Sequence, residues 1–232
     1  MQKEKCTALV LAAGQGKRMG TKIQKQYLEL GNKPVLYYAL RAFEDSPMID
    51  EVILVVGEDQ ENYCREEIVS KYEFQKVTYI LTGGAERYHS VWNGLQKVKE
   101  GFVFIHDGAR PFVTKEIIQR AYEEVVLCDA CVVGMPVKDT IKVSDEEGFV
   151  KDTPDRSTLW MIQTPQVFRT SLVKEAYRQL MEQAEIRVTD DAMVVEQMLG
   201  RKVKLVLGSY ENLKITTPED IEIATSFLRK NK

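Results

Sequence analysis

Short apolar runs alternate with helical stretches along the first half of this chain, and that alternation limits the fold more than composition does. Glu51-Val-Ile-Leu-Val-Val56 and Gly101-Phe-Val-Phe-Ile-His106 read as strands buried on both faces, and Ala8-Leu9-Val10-Leu11 as a shorter one. Lys76-Val-Thr-Tyr-Ile-Leu81 alternates polar and apolar positions, the pattern of a half-covered strand. Helical segments are expected between these runs, near 34–45, 59–72, 87–99 and 114–127. Pro34 suits a first helical turn. Thr114 suits a capping position, although Ile117 stands where a capping box wants Glu or Gln. Repetition of this kind predicts an α/β fold, a Rossmann-like, doubly wound, mainly parallel sheet.

The alternation breaks after Met135. Pro136-Val-Lys-Asp-Thr-Ile-Lys-Val143 and Gly148-Phe-Val-Lys-Asp152 flank Ser144-Asp-Glu-Glu147 and predict a protruding β-arm over about 136–155. The arm carries many charges and little apolar surface, so it must lie on its own domain or reach a second subunit. Helices near 171–184 and 190–199, a strand Val203–Leu207 and a last helix from Pro218 then resume the pattern. Thr217-Pro-Glu-Asp220 is a strong helix start, with a capping hydroxyl, a proline and first-turn acids. With no long linker or internal repeat, residues 1–232 are expected to form one domain with the arm as an excursion.

Composition excludes several classes. A formal charge of −3 argues against a nucleic-acid surface. The four cysteines form no framework, and Cys128-Asp-Ala-Cys131 lacks the second pair that a zinc site needs. The stretch Met1-Gln-Lys-Glu-Lys-Cys6 has no hydrophobic core of a signal peptide, and no run is long enough to span a bilayer. The expected location is the cytoplasm, with no membrane partner.

The chemistry is concentrated at predicted strand ends, where open α/β sheets bind ligands. After the first strand comes Leu11-Ala-Ala-Gly14-Gln-Gly16-Lys17-Arg18-Met-Gly20, with Lys22 and Lys25 close behind. Gly14 and Gly16 let backbone N–H groups approach a phosphate chain, and the cations balance it. The spacing matches neither a P-loop nor a dinucleotide fingerprint. After the third strand, Gly83-Gly84 permits close approach to a flat base, and Ser90 can hydrogen-bond it from the next helix; a simple turn and cap would read the same way. His106-Asp107-Gly108-Ala-Arg110 places an acid where it can meet a ribose, a polyol or a metal, with His106 read as a packed histidine. Asp155-Arg156 through Leu159-Trp160-Met-Ile-Gln163-Thr164 combines a cation suited to phosphate with a polar turn, Trp160 being expected in the core. Thr189-Asp190-Asp191 opens a helix and needs only the helix dipole to explain it. Lys214 reads equally as a solvated lysine or a further phosphate cation.

Taken together, these motifs resemble the sugar-phosphate nucleotidyltransferases, and within them the 2-C-methyl-D-erythritol 4-phosphate cytidylyltransferase family. The resemblance runs over nearly the whole chain: Leu11–Gly20 with Lys25-Gln-Tyr-Leu28, Gly83–Ser90, His106–Phe112, Pro136–Thr140, Arg156–Phe168, Thr189–Ala192 and Asn212–Asp220. It implies transfer of CMP from CTP to the polyol phosphate, with Mg²⁺ or another divalent cation as cofactor. It also implies roles. Arg18, Lys25 and Lys214 would be catalytic cations, and the backbone of Ala13, Gly14 and Gly16 would cradle phosphate. Gly83, Gly84 and Ser90 would select cytosine. Asp107 and Gly108 would contact the nucleotide, while Asp107, Arg110 and Thr164 would meet the ribose or the acceptor. Asp107 is a candidate metal ligand, the metal otherwise being held through the CTP phosphates. Thr140 and Arg156 would hold the acceptor phosphate from a partner's arm, making the enzyme a homodimer. Two further readings stay open: a ribitol 5-phosphate cytidylyltransferase, and a non-catalytic nucleotide-binding regulator.

Overall fold

The computed structural model describes residues 3–14 and 24–230, so Gly16 and Arg18 of the glycine-rich loop lie outside the described residues. Strand β1 (Cys6–Ala12) leads, through a tight turn at Lys25–Tyr27 and the two-residue strands β2 (Glu29–Leu30) and β3 (Lys33–Pro34), into helix α1 (Val35–Glu44). Strand β4 (Glu51–Val56) is followed by a single turn, α2 (Glu61–Tyr63), which widens into a π-helical stretch at Cys64–Ser70. Next come β5 (Val77–Thr82), α3 (Arg87–Leu95), β6 (Phe102–Asp107), α4 (Lys115–Cys128) and β7 (Ala130–Pro136). The arm strands are β8 (Val143–Ser144) and β9 (Val150–Asp152). The chain closes with β10 (Trp160–Arg169), α5 (Thr170–Met181), α6 (Asp191–Leu199), β11 (Lys204–Leu207) and α7 (Pro218–Lys230).

Seven strands form one sheet in the order β11-β7-β10-β6-β1-β4-β5. Every neighbour pair is parallel except the two made by β10, which runs antiparallel to β6 and to β7. The expected doubly wound, mainly parallel α/β sheet with its β-arm is therefore present. Its physical basis is visible residue by residue. In β6, Phe102 and Phe104 enter the core on one face, while Val103 and Ile105 enter the core on the other. Strand β4 divides Val52, Leu54 and Val56 from Ile53 and Val55 in the same way. A strand with two apolar faces has to be covered on both sides, here by α1 and α4 on one and by α3, α5 and α6 on the other.

Local signals account for the helix ends. The Thr114 hydroxyl accepts the Ile117 N–H at 3.3 Å, so α4 is capped without the acid of a full capping box. The α7 start is tied by Asp220, whose carboxylate accepts the N–H groups of Thr216 and Thr217 at 2.7 and 2.9 Å. Pro34 sits just outside its helix, in extended backbone, rather than within the first turn.

The polar turn expected within Asp155–Gln166 is instead part of a ten-residue strand, β10, and Trp160 is only half-buried rather than core. Gln163, Thr164, Pro165 and Gln166 interrupt its apolar pattern. Their polar groups are satisfied from other elements, by Ser209, His106 and Asp190, so a strand that looks polar in sequence can sit inside the sheet. A register shift between Ile162 and Gln166 accommodates Pro165, which follows a cis peptide bond.

At the arm tip the Asp145 carboxylate accepts the N–H groups of Glu147 and Phe149, and Gly148 takes a left-handed φ of 89° that closes the turn. Phe149 and Val150 on this ribbon are 67% and 62% exposed. Among the described residues no helix is long and apolar enough to cross a membrane.

Candidate active site

The chain passes from β1 to β4 and β5 on one side, then returns to place β6 on the other side of β1. That reversal opens a crevice beyond the carboxyl ends of the strands. A cleft of about 910 Å³ lies there. Its walls include Ala13 and Gly14 after β1, Gly83 and Gly84 after β5, Asp107 at the end of β6, and Ser90 on α3, with Lys25 and Lys214 at the rim. Eight of the residues expected in the site are thus brought to one wall.

The glycines are there for close approach. A Cβ on Gly83 would fall 2.5 Å from the Ala13 Cβ and 2.7 Å from the Ser90 hydroxyl, so no side chain fits there without displacing these cleft-lining groups. The Ser90 hydroxyl accepts the Gly84 N–H at 3.1 Å and lies 3.3 Å from the Glu86 carbonyl, to which it donates. Ser90 therefore holds the turn at the start of α3, and it also borders the cleft.

Asp107 is the electrostatic centre. Its carboxylate lies 2.9 Å from Lys214 Nζ, 3.4 Å from Arg87 Nε and 3.7 Å from Arg110 Nε. Burial by itself would push this carboxyl up, but the three cations outweigh burial and hold it well below the usual carboxylate range. Lys214 is thereby aimed into the cleft from a segment anchored underneath. Asn212 is fully buried and donates to Gln163 Oε1 and to the Thr164 carbonyl, and the Ile215 N–H reaches the Ala109 carbonyl at 2.9 Å.

Three expected contacts lie behind the wall instead of on it. Gly108 packs with its N–H on the Leu11 carbonyl, and a Cβ there would meet Leu36 at 2.8 Å. Arg110 donates to the Asn212 carbonyl at 2.8 Å. Thr164 is 4% exposed, and its hydroxyl is already used: it accepts the Asp107 N–H at 3.1 Å and meets His106 Nδ1 at 3.0 Å. The other His106 nitrogen, Nε2, faces the Arg110 carbonyl at 3.2 Å, which can only accept. The neutral Nε2–H tautomer follows, with Nδ1 accepting from Thr164. Burial pushes the imidazole down to about 4, in keeping with a packed histidine. Thr140 and Arg156 are exposed on the arm and do not border their own chain's cleft; Arg156 donates to the Lys138 carbonyl at 3.0 Å.

Sequence reasoning missed a second charged pair. Arg87 faces the cleft and clamps Asp191 through two bonds of 2.8 and 2.7 Å, while the Tyr177 hydroxyl donates to the same carboxylate at 2.5 Å. Asp191 is fully buried, and Asp190 beside it caps α6 through the Met193 N–H. Two successive acids were the available signal: one suffices for the cap, and the other is free to turn inward.

The described residues hold no cluster of three His, Cys, Asp or Glu side chains able to hold a metal. Asp107, the one candidate, is ringed by three cations and does not fit a metal ligand without displacing them. The cysteines are free, and burial pushes the Cys64 thiol up to about 11, away from thiolate chemistry.

A crevice floored by glycines and lined by Lys25, Arg87 and Lys214 beside Glu58, Glu86 and Asp107, at the switch point of a doubly wound sheet, is the ligand site of the nucleotide-binding class of α/β proteins. Comparison with known proteins narrows this. The family model "IspD: 2-C-methyl-D-erythritol 4-phosphate cytidylyltransferase" matches residues 6–230. A protein of that name from Lachnospira eligens is 55% identical over 225 residues, covering 96% of this chain and 99% of the relative. One from Lachnoclostridium phytofermentans is 49% identical over 230 residues, covering 99% and 98%. Among solved structures, a 4-diphosphocytidyl-2C-methyl-D-erythritol synthase from Anaerococcus prevotii superposes with a TM-score of 0.86 at 34% identity, covering 98% of this chain and 97% of that one. The Thermus thermophilus cytidylyltransferase gives 0.79 at 30% identity, covering 97% and 99%. The chain belongs to the 2-C-methyl-D-erythritol 4-phosphate cytidylyltransferase family.

Proposed function

We propose that this chain transfers the cytidylyl group of CTP to 2-C-methyl-D-erythritol 4-phosphate, releasing pyrophosphate and forming the CDP-polyol. The observation that carries the reading is the cleft itself, whose glycine floor and cationic rim coincide with full-length membership of the family. In this reaction an oxygen of the acceptor phosphate attacks the α-phosphorus of CTP, and the bond from that phosphorus to the bridging oxygen of pyrophosphate breaks. A phosphate monoester is already anionic at neutral pH, so no general base is needed. The barrier lies in bringing two anions together and in the charge that builds up on the transferring group, which fixed cations relieve.

Lys25, together with Arg18, grips the triphosphate. Lys214, held by Asp107, meets the α-phosphate. The backbone from Ala13 to Gly16 cradles phosphate, and Gly83, Gly84 and Ser90 receive the cytosine. Asp107 faces the ribose, while Gly108, Arg110 and Thr164 support that wall from behind. Mg²⁺ belongs on the triphosphate oxygens rather than on a protein carboxylate, because Asp107 is committed to its three cations.

The acceptor side involves a second copy of the chain. The arm exposes Val143, Phe149 and Val150 on a ribbon of only two short strands, which is marginal without a partner surface. Homodimerisation through the arm covers these side chains and carries Thr140 and Arg156 to the partner's cleft, where they hold the acceptor phosphate. The chain acts as one domain, with the arm as its excursion, in the cytoplasm. Incubation with CTP, Mg²⁺ and methylerythritol phosphate should yield the CDP-polyol by mass spectrometry, with far less product from UTP or ATP. Absence of that product with a folded protein would overturn the reading.

A further inference from the structure

We infer that Gln26 is a positioning residue for the transfer, locking the turn that carries Lys25 to the end of β1, where the glycine-rich segment begins. Gln26 is 2% exposed. Its Nε2 lies 2.6 Å from the Ala12 carbonyl, 3.2 Å from the Gly14 carbonyl and 2.6 Å from Gln24 Oε1. Ala12 is the last residue of β1, and Gly14 already faces the cleft. The two carbonyls lie where the strand ladder ends, and the two N–H groups of one neutral amide are shared among three acceptors, with Ala12 and Gln24 taking the short bonds and Gly14 the longer one.

The three residues of the turn point to three different surroundings. Lys25 lines the cleft. Gln26 turns inward to β1. Tyr27 anchors the far side, its hydroxyl 3.2 Å from Cys64 Sγ and its ring edge-on to Tyr63 at 5.1 Å. The turn itself closes through the Tyr27 N–H on the Gln24 carbonyl at 2.9 Å. A buried glutamine that satisfies two carbonyls need only be structural. Here the carbonyls border the phosphate-cradling backbone and the neighbouring residue is the proposed triphosphate cation, so the same bonds fix the spacing between them. An error of about 1 Å in such spacing can cost on the order of 100-fold in rate. The inference rests on the role proposed for Lys25.

The test is a double-mutant cycle with Lys25→Ala, measuring steady-state pyrophosphate release. Gln26→Leu removes the donors, and Gln26→Glu keeps the shape while placing a carboxylate against two carbonyls. Each should lower kcat by about 10- to 100-fold and leave acceptor KM within about twofold. Each should cost at most about twofold more when Lys25 is already Ala, because residues acting through one group are not additive. At low pH the Glu variant should recover toward the wild-type rate as its carboxyl regains a proton to donate. If Lys25→Ala itself leaves kcat unchanged, the role of Lys25 fails and takes this inference with it. If Lys25→Ala is slow but the two losses multiply, only the inference about Gln26 fails. Loss of folding in both Gln26 variants would assign the residue to stability and overturn the positioning role.

Discussion

At the residue scale the site is a balance of charges. Asp107 and Asp191 face Arg87, Arg110 and Lys214, and only Lys214 and Arg87 of these cations reach the cleft wall. Asp191→Ala strips Arg87 of its bidentate partner and leaves the Tyr177 hydroxyl unpaired. It should cost about 3 kcal/mol in urea unfolding, toward the low end for a broken buried pair because Arg87 keeps some solvent access. Lys25→Ala should lower kcat by about two to three orders of magnitude, as for loss of a preorganised charge donor; a loss under about threefold would remove it from the mechanism. The site was legible in the sequence only as an ensemble: Gly83, Gly84, Ser90 and Lys214 each have an equally good structural reading alone, and it is their occurrence in one ordered set of motifs that assigned them. Ala13, Gly14, Gly83, Gly84, Ser90, Asp107 and Lys214 all line the cleft. Arg87 with Asp191, 104 residues apart, was not legible, because Asp191 alone is explained by the start of its own helix and nothing local in sequence marks Arg87 as its partner. Thr164 was read as a contact, although its hydroxyl is spent inside the protein.

At the element scale, β6 carries a pH response through His106. The neutral imidazole links Thr164 to the Arg110 carbonyl, and burial has moved its folded pKa down to about 4 from an ordinary value near 6.5. The unfolded chain therefore takes up a proton first as pH falls. The stability due to this residue is full above about pH 6.5 and is lost progressively toward pH 4. From pH 7 to pH 5 the protein should lose about 2 kcal/mol more than a His106→Asn variant does. Equal losses in urea titrations would mean that His106 titrates freely. The central parallel strands β1, β4 and β6 were readable because both of their faces are apolar, and the edge strand β5 by its alternation. Strand β10 was not, since its polar residues find partners only in tertiary structure, on Ser209, His106 and Asp190.

At the scale of the whole molecule, each cleft is taken to be completed by its partner's arm. The arm was legible as a β-excursion, but what covers Phe149 and Val150 is not written in one chain. Complementation tests the arrangement. Lys25→Ala and Arg156→Ala proteins should each be poor enzymes, the second through a raised acceptor KM with CTP binding intact. Mixed and allowed to exchange, they should recover about a quarter of the wild-type rate, since half of the dimers are mixed and each of those has one intact site. No recovery after subunit exchange would mean that Arg156 serves its own chain or none.

The most direct measurement of the central claim is pyrophosphate release by the purified protein with CTP and Mg²⁺, comparing methylerythritol 4-phosphate with ribitol 5-phosphate. The account predicts turnover with the first acceptor and little with the second. Preference for ribitol phosphate, or CTP binding without release from either acceptor, would contradict it.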